Sequence, residues 1–248
     1  MSRESYRDGM KKWDLSGISL FRLFLVFFVP FTAFSLSVFF PLSLFFLVFP
    51  FFNLSSPLHW LLLSFFILGD FFFFIVCHTI IPGVFLKLLR VRCDEGVYDV
   101  SVKDKNFFMM ALHTGLYRPP LKLLGVFKLL PLRLILHRLA GLKIGSSSLI
   151  PGTETFFDPY LTEIGEQTLI GGSVKITCHS IEEKVELRPV KIGDDCIIGS
   201  EVFIFPGAVV EDNVTIGARS LVLKDQRLKK NRVYAGVPAR EVKKKKSE

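Results

Sequence analysis

A six-residue period governs the C-terminal part of the chain. Ile192, Ile198, Ile204, Val210, Ile216 and Val222 follow one another at that interval, and Ile164, Ile170 and Ile176 form an earlier set with the same spacing. Neither a helix, with 3.6 residues per turn, nor a half-buried strand, with two, brings such positions onto one face. Repetition of this kind specifies a parallel β-helix. Each hexad supplies one short strand and a turn, and three hexads close a triangular coil. Each aliphatic residue then points inward and stacks on the residue one coil later, so the interior is expected to be a column of Ile and Val. Four places after the aliphatics the residues are small or medium, as at Cys196, Val202, Ala208, Val214 and Ser220, which suits a narrower inward position. Gly165, Gly171, Gly193, Gly199 and Gly217 directly follow an aliphatic, where the turn needs backbone freedom or close approach of the neighbouring coil.

Two stretches interrupt the period, one over about 151–163 and one over 178–189 that begins at Cys178 and His179. A solenoid places insertions on its surface and commonly uses them for binding. The second is expected to project from a coil edge and to carry His179 with it.

The N-terminal part obeys a different solvent. Half of the chain is hydrophobic, with 27 phenylalanines, and no charged side chain occurs between Arg22 and Asp70. A membrane span needs only about 20 apolar residues. The run is too long for a cleavable signal, so it reads as a retained anchor. Pro50 to Pro57 reads as a turn between one kinked span near 20–49 and a second near 58–86. Basic residues flank both ends: Arg3, Arg7, Lys11 and Lys12 before, and Lys87, Arg90 and Arg92 after. That charge bias places both ends, and the C-terminal domain with them, in the cytoplasm. Asp70 is the one acid inside the second span, with His78 two turns further along as a partner candidate; solvation by a headgroup or water is the alternative.

Between Tyr117 and Lys143, Arg118, Lys122, Lys128, Arg133, Arg138 and Lys143 alternate with apolar residues, and no acid occurs. The pattern suits helices lying in the membrane interface, which Pro119, Pro120 and Pro131 would divide into short pieces. The net charge of +8 thus belongs to lipid headgroups rather than to nucleic acid. The resulting organisation is a membrane anchor over 1–92, basic interfacial helices over 93–140 and a β-helix over 141–248. Cys77, Cys93, Cys178 and Cys196 have no metal-ligand spacing and no disulfide framework, and Cys178 reads as structural. No metal site is expected.

The stretches Ser173-Val-Lys-Ile-Thr-Cys-His179, Pro189-Val-Lys-Ile-Gly-Asp-Asp-Cys-Ile-Ile-Gly-Ser200, Phe205-Pro-Gly207, Ile216-Gly-Ala-Arg-Ser220 and Tyr234-Ala-Gly-Val-Pro-Ala-Arg240 resemble the hexapeptide-repeat acyltransferases, in particular the galactoside, maltose and xenobiotic O-acetyltransferases. Over a longer stretch, the apolar spans, the basic linker, Gly141-Leu-Lys-Ile-Gly145 and Phe157-Asp-Pro-Tyr-Leu-Thr-Glu-Ile-Gly165 resemble the membrane C-terminal region of poly-lysine-type peptide synthetases. The resemblance implies a left-handed β-helix assembled as a homotrimer, with the active site between subunits.

It also implies that His179 is the general base for transfer of an acyl group, expected to be acetyl, from acyl-CoA to a hydroxyl or amine. Glu182 and Glu183 are candidates to orient its ring. Ser200 and Ala218 are implied along the pantetheine arm, and Lys224 and Arg240 at the nucleotide phosphates. Acyl-CoA is then a co-substrate, and no permanently bound cofactor is implied. The acceptor is left open as a small molecule, a lipid-linked group or an envelope precursor. Ile197 departs from the resemblance, since the family often carries an aromatic residue there. Two other readings stand beside this one: a noncatalytic membrane scaffold, and an amide-forming partner of a carrier-protein-dependent synthetase.

Overall fold

The computed structural model describes residues 20–101 and 103–242. The N-terminal basic cluster and Lys243 to Lys246 lie outside the described residues.

The hexads fold into a parallel β-helix with three faces. Lys143–Ile144, Thr162–Ile164, Val190–Ile192, Val209–Val210 and Arg227–Leu228 form one face. Leu169–Ile170, Ile197–Ile198, Thr215–Ile216 and Val233–Ala235 form the second, and Thr155–Phe156, Lys175–Ile176, Phe203–Ile204 and Leu221–Val222 the third. Arg240–Glu241 turns back antiparallel on Val233–Ala235. Register sets the core: Ile192 lies beside Val210 and Val210 beside Leu228, while Ile198 lies beside Ile216 and Ile216 beside Tyr234. These inward side chains are almost wholly buried, together with Cys196, Val202, Ala208 and Val214. Each aliphatic contributes about 1.5–3 kcal/mol by leaving water.

The turns repeat as regularly as the core. Asp195, Glu201, Asn213, Arg219, Asp225 and Asn231 all have positive φ, and Gly207 takes the place between Glu201 and Asn213. The glycines that follow the aliphatics have a different purpose. A Cβ on Gly171 would lie 2.6 Å from the Ser200 nitrogen, and one on Gly199 would lie 2.5 Å from the Ala218 nitrogen. Of the two reasons open from sequence, close approach of successive coils is the operative one at these positions.

The interruptions differ in kind. Residues 151–163 are largely a coil in their own right: Thr155–Phe156 pairs with Lys175–Ile176 twenty residues later, and Glu154 and Asp158 are buried. This segment is therefore a lengthened coil, correcting the expectation of a surface insertion. The second interruption does project. Ile176 to Ile204 spans 28 residues against the 18 from Ile204 to Val222, and the ten extra residues form a hairpin of His179–Ile181 with Lys184–Leu187. Gly96–Asp99 adds a third antiparallel strand to this hairpin, an element with no expectation from sequence.

Among the described residues four α-helices precede the β-helix: α1 (Leu20–Val48), α2 (Pro57–Leu88), α3 (Lys105–Phe127) and α4 (Leu130–Leu139). Among the described residues, α1 with its 3-10 extension to Phe51, and α2, are long and apolar enough to cross a membrane. They pack on each other and on α3, yet leave Phe21, Phe27, Phe31, Phe46 and Phe65 open to the surroundings. Asp70 and His78 each retain a buried side-chain atom without a hydrogen bond.

Helix α3 runs unbroken through Pro119 and Pro120, correcting the expected division there. Proline in a helix interior costs about 3 kcal/mol, but Leu112, Leu116, Tyr117, Pro120, Leu121 and Leu124 form one continuous buried stripe across the prolines, and its packing outweighs that cost. The break falls at Lys128, which is in the left-handed region, and Pro131 sits in the first turn of α4.

Candidate active site

The hairpin insertion starts at a corner of the β-helix, and His179 is its first strand residue. One coil earlier, at the same corner, lies Asp158. Phe156 pairs with Ile176, so a residue two places beyond Phe156 falls against Cys178 and His179. Asp158 Oδ2 accepts from His179 Nδ1 at 2.7 Å and from the Cys178 backbone nitrogen at 2.9 Å. The Asp158 carbonyl accepts from the Thr162 hydroxyl at 3.1 Å and from the Leu161 nitrogen at 3.0 Å. The carboxylate is fixed by both backbone and side chain.

The imidazole side chain is 25% exposed while its carboxylate partner is 2% exposed. A carboxylate can only accept, so Nδ1 is the donor to Asp158, and in the neutral form of the ring the lone pair lies on Nε2. Phe157 meets the His179 ring edge-on, with centroids 6.1 Å apart, and the Arg118 guanidinium lies over the Phe157 ring at 4.5 Å. Helix α3 thus contributes a cation to the rim of the histidine site.

Cys178 is poorly disposed to act as a nucleophile. Burial, with the Asp158 charge next in importance, pushes its thiol up to about 12, and its sulfur is enclosed near the Leu161 carbonyl and Thr162. An inert structural thiol is what its place in the core column requires.

Glu182 and Glu183 are not brought to the ring. They are exposed at the tip of the hairpin, while Asp158 occupies the orienting position at Nδ1. The folded register explains Asp158: Ile144 pairs with Ile164, and Phe156 with Ile176, both twenty residues apart. Carrying that register onward aligns Asp158 with Cys178.

Ser200 and Ala218 lie together on another corner of the β-helix, both exposed. The Arg219 nitrogen donates to the Ser200 carbonyl at 2.9 Å, which fixes the coil spacing there. Lys224 follows Leu221–Val222 on the corner that carries His179, and its ammonium pairs with Glu186 of the hairpin. Glu186 also accepts from Arg188, whose guanidinium reaches Asp225 at 2.9 Å. These hydrogen bonds, from Lys224 first and Arg188 second, hold the Glu186 carboxyl below its usual range. Arg240 is exposed on the terminal antiparallel strand. Within one chain His179 and Lys224 lie on one corner, two coils apart, and Ser200 and Ala218 lie on another.

A buried polar network ties the helices to the first coils beneath this site. Tyr117 OH donates to His137 Nδ1 at 2.7 Å, and His137 Nε2 donates to Glu154 Oε1 at 3.1 Å. Arg133 Nε donates to the same carboxylate oxygen at 2.9 Å, and the Gly152 nitrogen to Oε2 at 2.7 Å. Burial pushes the Glu154 carboxyl up, but the hydrogen bonds from His137 and Arg133 outweigh it and hold the group at about 2. Among the described residues no group of three or more His, Cys, Asp or Glu side chains has metal-binding geometry.

No family model matches the chain. Among curated proteins it is similar to the galactoside O-acetyltransferase of Escherichia coli K12, with 38% identity over 94 residues, covering 35% of this chain and 45% of that protein. It is also similar to the delta-poly-L-ornithine synthetase of Acinetobacter baumannii AB307-0294, with 29% identity over 103 residues, covering 41% of this chain and 8% of that protein. The chain therefore spans under half the length of either relative. Among solved structures it aligns with a maltose O-acetyltransferase from Clostridium difficile 630 at 22% identity and a TM-score of 0.42, covering 62% of this chain and 94% of that one. The two curated relatives fall in the two groups that the sequence resembles.

Proposed function

We propose that the chain is a membrane-tethered acyltransferase that moves an acyl group from a CoA thioester to a hydroxyl or amine, with His179 as general base and Asp158 as its positioning residue. The observation that carries this reading is the 2.7 Å bond from His179 Nδ1 to a buried carboxylate, which leaves Nε2 as the only free basic atom of the ring. As the acceptor attacks the thioester carbonyl, Nε2 takes its proton. Collapse of the tetrahedral intermediate breaks the carbon–sulfur bond, and the imidazolium returns the proton to the departing CoA sulfur. Asp158 favours the imidazolium electrostatically and holds the ring in the productive tautomer. A positioned base of this kind contributes about 10²–10⁴ in rate.

In this reading the β-helix is left-handed and the active unit is a trimer. Support for the trimer comes from the placement of Ser200 and Ala218 on a different corner from His179: a donor site using all three is closed by a second copy. Lys224 exchanges Glu186 for a CoA phosphate, and Arg240 supplies a second cation. Helices α1 and α2 span the bilayer, since phenylalanines such as Phe21, Phe27, Phe31 and Phe65 stay exposed on them and a water-facing apolar surface of that extent is unfavourable. Residues 1–92 are then the anchor, 93–140 the interfacial platform and 141–248 the catalytic domain, with both ends cytoplasmic.

Replacing His179 by Ala in the full chain, reconstituted in vesicles and supplied with acetyl-CoA and a membrane extract as acceptor source, tests the assignment. Loss of CoA release with intact folding is expected; unchanged release overturns it and leaves the scaffold reading. Similarity to the poly-ornithine synthetase favours an amine as one class of acceptor. If an acyl-carrier-protein thioester is consumed while acetyl-CoA is not, the amide-forming reading replaces the CoA-dependent one.

A further inference from the structure

The C-terminal end of α2 and the last turn of α4 meet in a cleft of about 470 Å³ on the helical side of the site. Lys87, Arg90, Arg92 and Arg138 line it, and no acid does. Among the described residues none of these four cations makes an ion pair. Four like charges around one cavity repel each other, and cations at helix C-termini are ordinarily explained by the free carbonyls there. That explanation is weak here, because the chain caps its own helices. Leu89 and Val91 donate to Phe85 and Leu86 at 2.9 and 3.0 Å, while Ala140 and Leu142 donate to Leu136 and His137, both at 2.9 Å. Arg90 is moreover held in the left-handed region at φ 50°, which costs a non-glycine residue about 1–2 kcal/mol. That turn carries Arg90 and Arg92 to the cleft instead of extending the helix.

We propose that this cleft binds the phosphate headgroup of an anionic phospholipid. Phosphate chemistry matches the lining, since guanidinium groups bind phosphate oxygens bidentately. The apolar half of the ligand follows from what surrounds the cleft. Between the lining residues Lys87 and Arg90, Leu88 is 76% exposed and Leu89 is 48% exposed, and α2 leads back from them into its uncharged phenylalanine-rich stretch. An anion with hydrocarbon chains satisfies both surfaces, whereas a free anion satisfies only the first. The inner wall is Tyr160, whose hydroxyl faces Asp158 at 3.5 Å. The bound headgroup therefore seats the catalytic corner at the bilayer surface.

The inference rests on the reading that α1 and α2 span the membrane, and the test separates the two. The full chain is reconstituted in nanodiscs of phosphatidylcholine with a minor share of phosphatidylglycerol, and retained lipid is read by native mass spectrometry. Neutralising Lys87, Arg90 and Arg92 could invert the topology, so Arg138, which flanks neither span, is changed first. Wild type is expected to retain phosphatidylglycerol above its bulk share. Arg138→Gln lowers that retention about fivefold, the effect of one cation near an anionic surface, and Arg138→Lys preserves most of it. Equal retention of the two lipids by wild type, or unchanged retention in Arg138→Glu, overturns the proposal. So does displacement of the lipid by equimolar inorganic phosphate, which would identify a free-anion site. Carbonate extraction of the same protein from vesicles reads the spanning assignment independently: protein that washes off refutes the span, and integrated protein without enrichment refutes only the cleft.

Discussion

Replacing Asp158 by Asn tests the catalytic reading at its least exposed point. Asp158 Oδ2 accepts two hydrogen bonds, from His179 Nδ1 and from the Cys178 nitrogen. Both donors meet the same oxygen, so an asparagine that keeps its amide oxygen there accepts from both but without the negative charge, and one that flips presents its NH2 group to both. If it faces the ring, the imidazole must accept at Nδ1 and carry its proton on Nε2, where the base is needed. A hydrogen bond to a charged partner is worth about 1.5–3 kcal/mol, so the rate should fall about 10–150-fold. His179→Ala alone should cost about 10²–10⁴. Because Asp158 acts only through His179, the double variant should be no slower than His179→Ala, within the roughly twofold error of an additive cycle. The assay is release of CoA thiol from acetyl-CoA, with thermal unfolding run alongside to confirm that each variant is folded. A double variant slower than His179→Ala by the full Asp158→Asn factor would show that Asp158 acts independently of the imidazole. An Asp158→Asn enzyme within twofold of wild type would remove it from the mechanism.

Four further outcomes follow from the same geometry. Glu154→Gln leaves the buried Arg133 guanidinium without its counter-charge and should destabilise the junction of α4 with the β-helix by about 3–5 kcal/mol, seen as early proteolytic cleavage between α4 and the first coils. His113 is lowered to about 4, chiefly by burial. A histidine depressed in the fold contributes stability that is complete above its unfolded value near 6.5 and is lost as pH falls toward 4, so His113→Phe should flatten thermal stability against pH across that window, about 3 kcal/mol in all. Gly199→Ala drives a methyl to 2.5 Å from the Ala218 nitrogen and should cost about 1–3 kcal/mol, whereas Gly69→Ala meets nothing within 4 Å and should leave the unfolding midpoint unchanged. Lys224→Ala should raise KM for acetyl-CoA up to about fivefold with little change in kcat, since a half-exposed ion pair is worth at most about 1 kcal/mol; a fall in kcat alone would place Lys224 elsewhere.

The parts of the structure that were legible in the sequence are those set by repetition. A residue such as Ile204 has its next neighbour dictated by the coil length alone, so the period of six fixes the Ile204–Val222 and Ile198–Ile216 stacks without knowledge of any distant contact. The hairpin bearing His179 was legible as the place where that period fails. The glycines were half legible: their positions were periodic, but only the stacked backbones decide between freedom and crowding, and at Gly199 crowding wins.

What escaped the sequence is where one irregular segment meets another. Glu182 and Glu183 are near His179 along the chain, yet a hairpin carries its tip away from its base, so proximity in sequence pointed to the wrong carboxylates. Asp158 is 21 residues away and reaches the ring because the lengthened coil restores register at Phe156. Gly96–Asp99 pairs with Lys184–Leu187 only because Cys93, Val185 and Leu187 share a small core with Tyr98, Phe107 and Tyr160. Tyr160 belongs at once to that core, to the wall of the basic cleft and to the surroundings of Asp158. The helices and the corner bearing His179 are thus one packed unit, and mutations that loosen α3 or α4 from the coils should slow the proposed acyl transfer before they unfold the β-helix, whose own column of Ile and Val does not depend on them.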